Sequence, residues 1–146
     1  MAALSANAVT PPRHNPGSDS FVGTYKATGA DEYYNGAVVC YVSPRAILTN
    51  ADGVVTLGFH MGRTTITAAD EPVKVHVAGI WWVAAAGMID GDLGTLMAPT
   101  AASDNPADIV DQAAGTPFSL GVLIHVDVTT TSGWIHLSSD RGLSDA

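Results

Sequence analysis

The stretch EPVKVHVAGIWWVAAA, Glu71 to Ala86, constrains the fold more than any other. Val73, Val75 and Val77 alternate with Lys74 and His76, the period of two expected of a half-buried β-strand. The alternation then meets Trp81 and Trp82 side by side. Neighbouring side chains of a strand point to opposite faces, so only one of the two follows the valines into the core. Without a bulge that one is Trp81, and Ile80 and Trp82 face outward; a bulge at Gly79 would exchange the two tryptophans. An aromatic side chain hides ~150–250 Å² of surface. At about 25 cal/mol per Å² this is worth roughly 4–6 kcal/mol as an upper bound. The outward tryptophan therefore calls for a cover: a second sheet, the N-terminal segment or another subunit.

The rest of the chain repeats the β signature. AVVCYV follows a turn signal at Asn35-Gly36, and VVTLGFHM follows a second turn at ADG, residues 51–53. MIDGDLGTLMA holds a turn at Asp90-Gly91 and a short strand, and FSLGVLIHVDVTTTSGWIHLSS reads as a closing hairpin. VVTLGFHM and FSLGVLIHV share a Leu-Gly step before an apolar run, a faint echo between two β units. The expected fold is all-β: a compact sandwich or barrel of short antiparallel strands. One short helix is expected in the connection NPADIVDQAAG, with Asn105 as N-cap, Pro106 in the first turn and Gly115 past the end. Residues 1–20, with Pro11, Pro12 and Pro16 among small polar residues, read as an extended arm that becomes ordered only when something binds it. Residues 21–146 form the single β-rich domain, a size that suits one core.

Composition narrows the partners. Hydrophobic residues make up 47% of the chain and charged residues 14%, so the surface is Ser-, Thr-, Gly- and Ala-rich and weakly charged. Fourteen acidic residues oppose six Lys and Arg, a formal charge of −8 with no basic patch. Nucleic acid and anionic membranes are disfavoured partners. The single Cys40 forms no internal disulfide and reads as a small core residue. The N-terminus lacks a basic start followed by an apolar run, so the chain is expected to stay in the compartment where it is made.

Candidate chemistry concentrates in the closing hairpin. If Val128 pairs with Ile135, Asp127 faces His136 and His125 joins them on one face, a set that suits zinc or acid–base work. The plainer reading is a solvated polar face, in which case there is no metal and no cofactor. Ser138 completes a Ser-His-Asp set on paper, but without G-x-S-x-G or an oxyanion hole it is rejected. P-loop, dinucleotide and His-Glu-x-x-His motifs are missing from the sequence, and DGDLG, Asp90 to Gly94, does not continue to the Glu of a calcium loop. The chain is read as a non-enzyme.

Taken in order, YYNGAVVCYVSPRAILTNADGVVTLGFHMGR, VKVHVAGIWWVAAAGMIDGDLGTLMAP and SLGVLIHVDVTTTSGWIHL resemble the capsid decoration, or cement, proteins of tailed bacteriophages. The pattern spans about residues 33–137 and consists of structural glycines and apolar positions. The resemblance implies a β-rich protein, often a homotrimer, made in the host cytoplasm. It would sit on the outside of an expanded head, bind the major capsid protein and stabilise the shell. It carries no active-site residues. Interface candidates are Pro11, Pro12, Arg13 and Pro16 on the arm, and Ile80, Trp81, Trp82 and Trp134 in the domain. The alternative is a carbohydrate-binding or a fibre- or baseplate-type module of a virion; a lectin-like surface would draw on Tyr33, Tyr34 and Trp134.

Overall fold

The computed structural model describes residues 4–42, 44–48, 55–86, 88, 90–100, 103–111, 120–127 and 129–137. It is all-β and has three sets of strands. A closed barrel runs in the order β2 (Val22–Ala27), β5 (Arg45–Ile47), β4 (Ala37–Val42), β6 (Val55–His60) and β8 (Pro72–His76). A six-stranded antiparallel sheet runs β1 (Arg13–His14), β9 (Gly79–Ala84), β13 (Ser132–Leu137), β12 (Gly121–Asp127), β10 (Leu96–Pro99) and β11 (Ile109–Asp111). A ribbon pairs β3 (Asp31–Tyr33) with β7 (Thr64–Ile66). Sandwich and barrel are thus combined: the sheet lies against one wall of the barrel. One barrel pair, β2 with β5, is parallel, against the expectation of antiparallel strands throughout. Strand directions that simply alternate cannot close a ring of five, so one like-directed pair is unavoidable.

The shared wall is β4 and β6. All six residues of β6 are buried, because one face looks into the barrel and the other toward the sheet. Leu57 joins Val39, Val73, Val75 and Val77 inside the barrel, whereas Val38 and Phe59 join Trp81, Leu123, Ile135 and Leu137 between the layers. The switch is made by Leu57, an extra residue opposite the Val39–Cys40 step, a β-bulge that redirects the strand. Beside it, a Cβ on Gly58 would lie 1.9 Å from the His76 carbonyl oxygen. The Leu-Gly echo recurs in the sheet, where a Cβ on Gly121 would lie 2.3 Å from the His136 carbonyl oxygen.

The run from Glu71 to Ala86 is two strands rather than one. The chain leaves the barrel after His76 and enters the sheet at Gly79, whose φ of +105° is a left-handed value that favours glycine. A Cβ there would also lie 2.3 Å from the Asp19 carbonyl oxygen. The corner keeps the phase of the alternation. Val73, Val75, Val77, Trp81 and Val83 all face inward, so Gly79 does not exchange the tryptophans.

Two local expectations need correction. The helix expected from Asn105 to Gly115 is a single 3-10 turn over Pro106–Asp108, with Asn105 Oδ1 accepting from the Ala107 N–H at 3.0 Å as foreseen. β-branched Ile109 and Val110 then pair with Pro99 and Ala98, and cross-strand pairing prevails over continued helix; residues 112–119 lie outside the described residues. The hairpin register is also displaced. Asp127 lies opposite Ser132, not His136, because the turn is tight, over Thr129–Thr131, with Thr131 at φ +48°.

Candidate functional site

The site is built on β9, whose outward residues Ile80, Trp82 and Ala84 alternate with buried Trp81 and Val83. Trp81 is 2% exposed and belongs to the core. Its ring sits 5.3 Å from Phe59, 5.1 Å from His14 and 5.3 Å from His76, and its indole N–H donates to the Ala78 carbonyl at 3.0 Å. As an interface candidate it is therefore withdrawn, and so is Pro12, which is buried.

The cover over the outward tryptophan is the N-terminal segment of the same chain. Arg13 pairs with Trp82 and His14 with Trp81, and the Arg13 guanidinium carbon stands 4.2 Å above the Trp82 ring, cation–π geometry. The segment, expected to need a partner for order, is tied to its own domain at many points. Leu4 N–H donates to Asp104 Oδ1 at 2.7 Å, Ala8 N–H to the Asn35 carbonyl at 2.9 Å and Asn15 N–H to the Ile80 carbonyl at 2.8 Å. The Ile80 N–H in turn donates to Ser18 Oγ at 2.9 Å. Burial holds the Asp104 carboxyl above its ordinary value, against the lowering effect of the Leu4 N–H. Pro11 is half-buried and Pro16 exposed.

Across the sheet one row of outward side chains reads Arg13, Trp82, Trp134, His125. His125 reaches that row because Ile124 is an extra residue between the Leu123–Ile135 and His125–Trp134 pairs. The bulge leaves both Ile124 and His125 exposed. An open groove of about 300 Å³ follows the row and is lined by Arg13, Trp82, Trp134, His125, Asp127 and Thr130. Asp127 Oδ1 accepts the Thr129 N–H at 3.0 Å, and the Thr130 and Ser132 hydroxyls share a hydrogen bond of 2.7 Å. His136 is two residues from Trp134 along β13, opposite Val122, so His125, Asp127 and His136 do not form the cluster weighed, and disfavoured, from the sequence. Among the described residues no three His, Cys, Asp or Glu side chains gather as a metal ion would need. Ser138 lies outside the described residues.

The far side of the sheet is apolar. Leu96 pairs with Val122, and the Gly94 N–H donates to the Leu123 carbonyl at 2.8 Å, so residues 93–96 run beside 122–124. Leu93, Leu96 and Ile124 are 56%, 49% and 44% exposed. Sequence reasoning missed this group, since its exposure depends on the Ile124 bulge and on the pairing of Leu96 with Val122 beside it. A second concavity, about 320 Å³ beneath the arm, is lined by Leu4, Asn7, Val9, Ala84 and Asn105 among others and carries no titratable side chain.

Three residues considered earlier resolve as structural. Cys40 is buried and its thiol is pushed up to about 12, mainly by burial, so it is protonated at neutral pH. Tyr33 lies in the barrel core, its phenol also pushed up to about 12 by burial, and is no sugar platform. Tyr34 stacks with Arg63, 5.1 Å from ring centre to guanidinium carbon. No helix among the described residues is long and apolar enough to cross a membrane. Comparison of the chain with protein-family profiles, with curated proteins and with solved structures finds no match.

Proposed function

We propose that this protein is a decoration, or cement, protein of a tailed-bacteriophage head, bound to the outer surface of the expanded shell through the major capsid protein. The reading starts from the resemblance carried by residues 33–137. The observation that carries it further is the apolar corner of Leu93, Leu96 and Ile124, three large side chains about half exposed on adjacent segments. A chain in water gains from covering such a group, and exposed apolar side chains gathered on neighbouring segments suit a contact site. The corner replaces Trp81 and Pro12 among the interface candidates; Arg13, Pro11, Pro16, Ile80, Trp82 and Trp134 keep some exposure and remain in the proposed contact region. The weakly charged, net acidic surface suits a position outside the shell, away from packaged DNA. In this reading the chain is not an enzyme, uses no cofactor and assembles as a trimer.

The test is co-sedimentation of the purified protein with undecorated expanded heads and with unexpanded procapsids of the phage that encodes it. Saturable binding to expanded heads and not to procapsids is the expected result. Failure to bind either particle would overturn the proposal.

A further inference from the structure

The groove along Arg13, Trp82, Trp134 and His125 lies across the sheet from the apolar corner and has a chemistry of its own. It offers two indole rings, a carboxylate, an imidazole, a guanidinium and two hydroxyls within one concavity of about 300 Å³. Three of these polar groups are already placed by another contact. Arg13 is fixed by its stack on Trp82 at 4.2 Å, Asp127 by the Thr129 N–H at 3.0 Å, and the Thr130 hydroxyl by Ser132 at 2.7 Å. Groups held this way lose little freedom on binding. Because the guanidinium occupies one face of Trp82, Trp134 is the ring left to act as a platform.

A pyranose ring has a C–H face that suits an indole and a rim of hydroxyls that suits a carboxylate paired with nitrogen donors. The groove supplies both, and its volume lies at the lower end of ligand sites, roughly 300–1,000 Å³, which suits a short saccharide unit. Anionic ligands fit less well. Asp127 lines the same groove as Arg13, and the chain carries a formal charge of −8, so a phosphate or sialic acid would meet repulsion where a neutral sugar would not.

We propose that this groove is a binding subsite for a neutral saccharide, stacked on Trp134 and hydrogen-bonded by Asp127, His125 and Arg13. The inference does not rest on head binding; because Arg13, Trp82 and Trp134 also belong to the proposed contact region, sugar binding is read on the free protein, where failure of one proposal leaves the other standing. The test is a titration of the full-length protein, followed by the indole N–H resonances of the three tryptophans. The probes are cellobiose, maltose, lactose and N,N′-diacetylchitobiose, with sialyllactose and ATP as anionic comparators. The expected result is that at least one neutral disaccharide binds, shifting the Trp134 and Trp82 indole signals and leaving that of Trp81 in place. Asp127→Asn and Trp134→Ala should each weaken that binding, the latter by about tenfold, the factor ~1.4 kcal/mol represents. Should Trp134→Ala fail to fold, the resonance map of the unaltered protein and the Asp127→Asn titration decide the matter. Silence from every neutral sugar, binding by the anionic probes alone, or shifts that spare Trp134 would overturn the proposal.

Discussion

In the barrel, β6 is buried along its whole length, because both of its faces meet protein. In the sheet, β9 alternates buried and half-buried residues, because only its inner face does. The two regions use the same local device, a Leu-Gly step at which a glycine lies under a histidine carbonyl of a neighbouring strand. They put it to different ends. In the barrel the step belongs to a closed ring with no free edge; in the sheet the neighbouring bulge at Ile124 turns side chains outward. Stability concentrates in the shared wall between the layers, and in the proposed reading recognition falls to the face the barrel does not cover.

The sharpest way to break this comparison is at the wall. Trp81→Ala should cost about 3–5 kcal/mol, read as a lowered denaturation midpoint, because it empties the space among Phe59, His14 and His76. Gly58→Ala should cost about 3 kcal/mol, because the new methyl would stand 1.9 Å from the His76 carbonyl oxygen. Gly121→Ala, at 2.3 Å from His136 O, should cost less. An equal or larger loss at Gly121 would mean the sheet carries more of the stability than the barrel wall.

How much of this was legible in advance differs between the same two regions. The inward phase of Val73, Val75, Val77 and Trp81 is written in the alternation, since a strand offers only two faces. That the run is cut into two strands is not, because Gly79 bends the chain without changing the phase. The hairpin was misplaced because its turn uses Thr129, Thr130 and Thr131 in place of the Gly or Asn that marks tight turns. His136 was therefore set against Asp127, and the groove row of Trp82, Trp134 and His125 stayed hidden. The arm's docking was hidden for a similar reason: its anchors are backbone groups and the side chains of Asn7, Ser18 and Asp104, which leave no hydrophobic period.

Acid should expose the junction between the regions. Burial, then the neighbouring His14 and His60, hold the His76 imidazole below its ordinary value of 6.5. The folded state then binds fewer protons at this group than the unfolded chain, so its contribution to stability is present above pH 6.5 and is lost as pH falls through the folded-state value. Thermal melts across this window should show stability falling with acidification, less steeply in His76→Gln. Equal slopes would remove His76 from the junction. Asp104, raised chiefly by burial, works in the opposite sense, and comparing His76→Gln with the parent chain cancels it.

Smaller effects are expected on the open face. Arg13→Ala should cost ~0.5–1 kcal/mol and shift tryptophan emission to the red as Trp82 meets water. Leu96→Ser and Ile124→Ser should change stability by less than about 0.5 kcal/mol while lowering occupancy on expanded heads. A large loss of stability from either would return that corner to the core.

The most direct test of the division between wall and face is hydrogen–deuterium exchange of the protein free and bound to expanded heads. Added protection on binding is predicted at residues 93–96 and 122–124, with the barrel strands β4 and β6 already slow in the free protein and unchanged. Protection confined to the barrel strands, with residues 93–96 and 122–124 exchanging as before, would contradict the account.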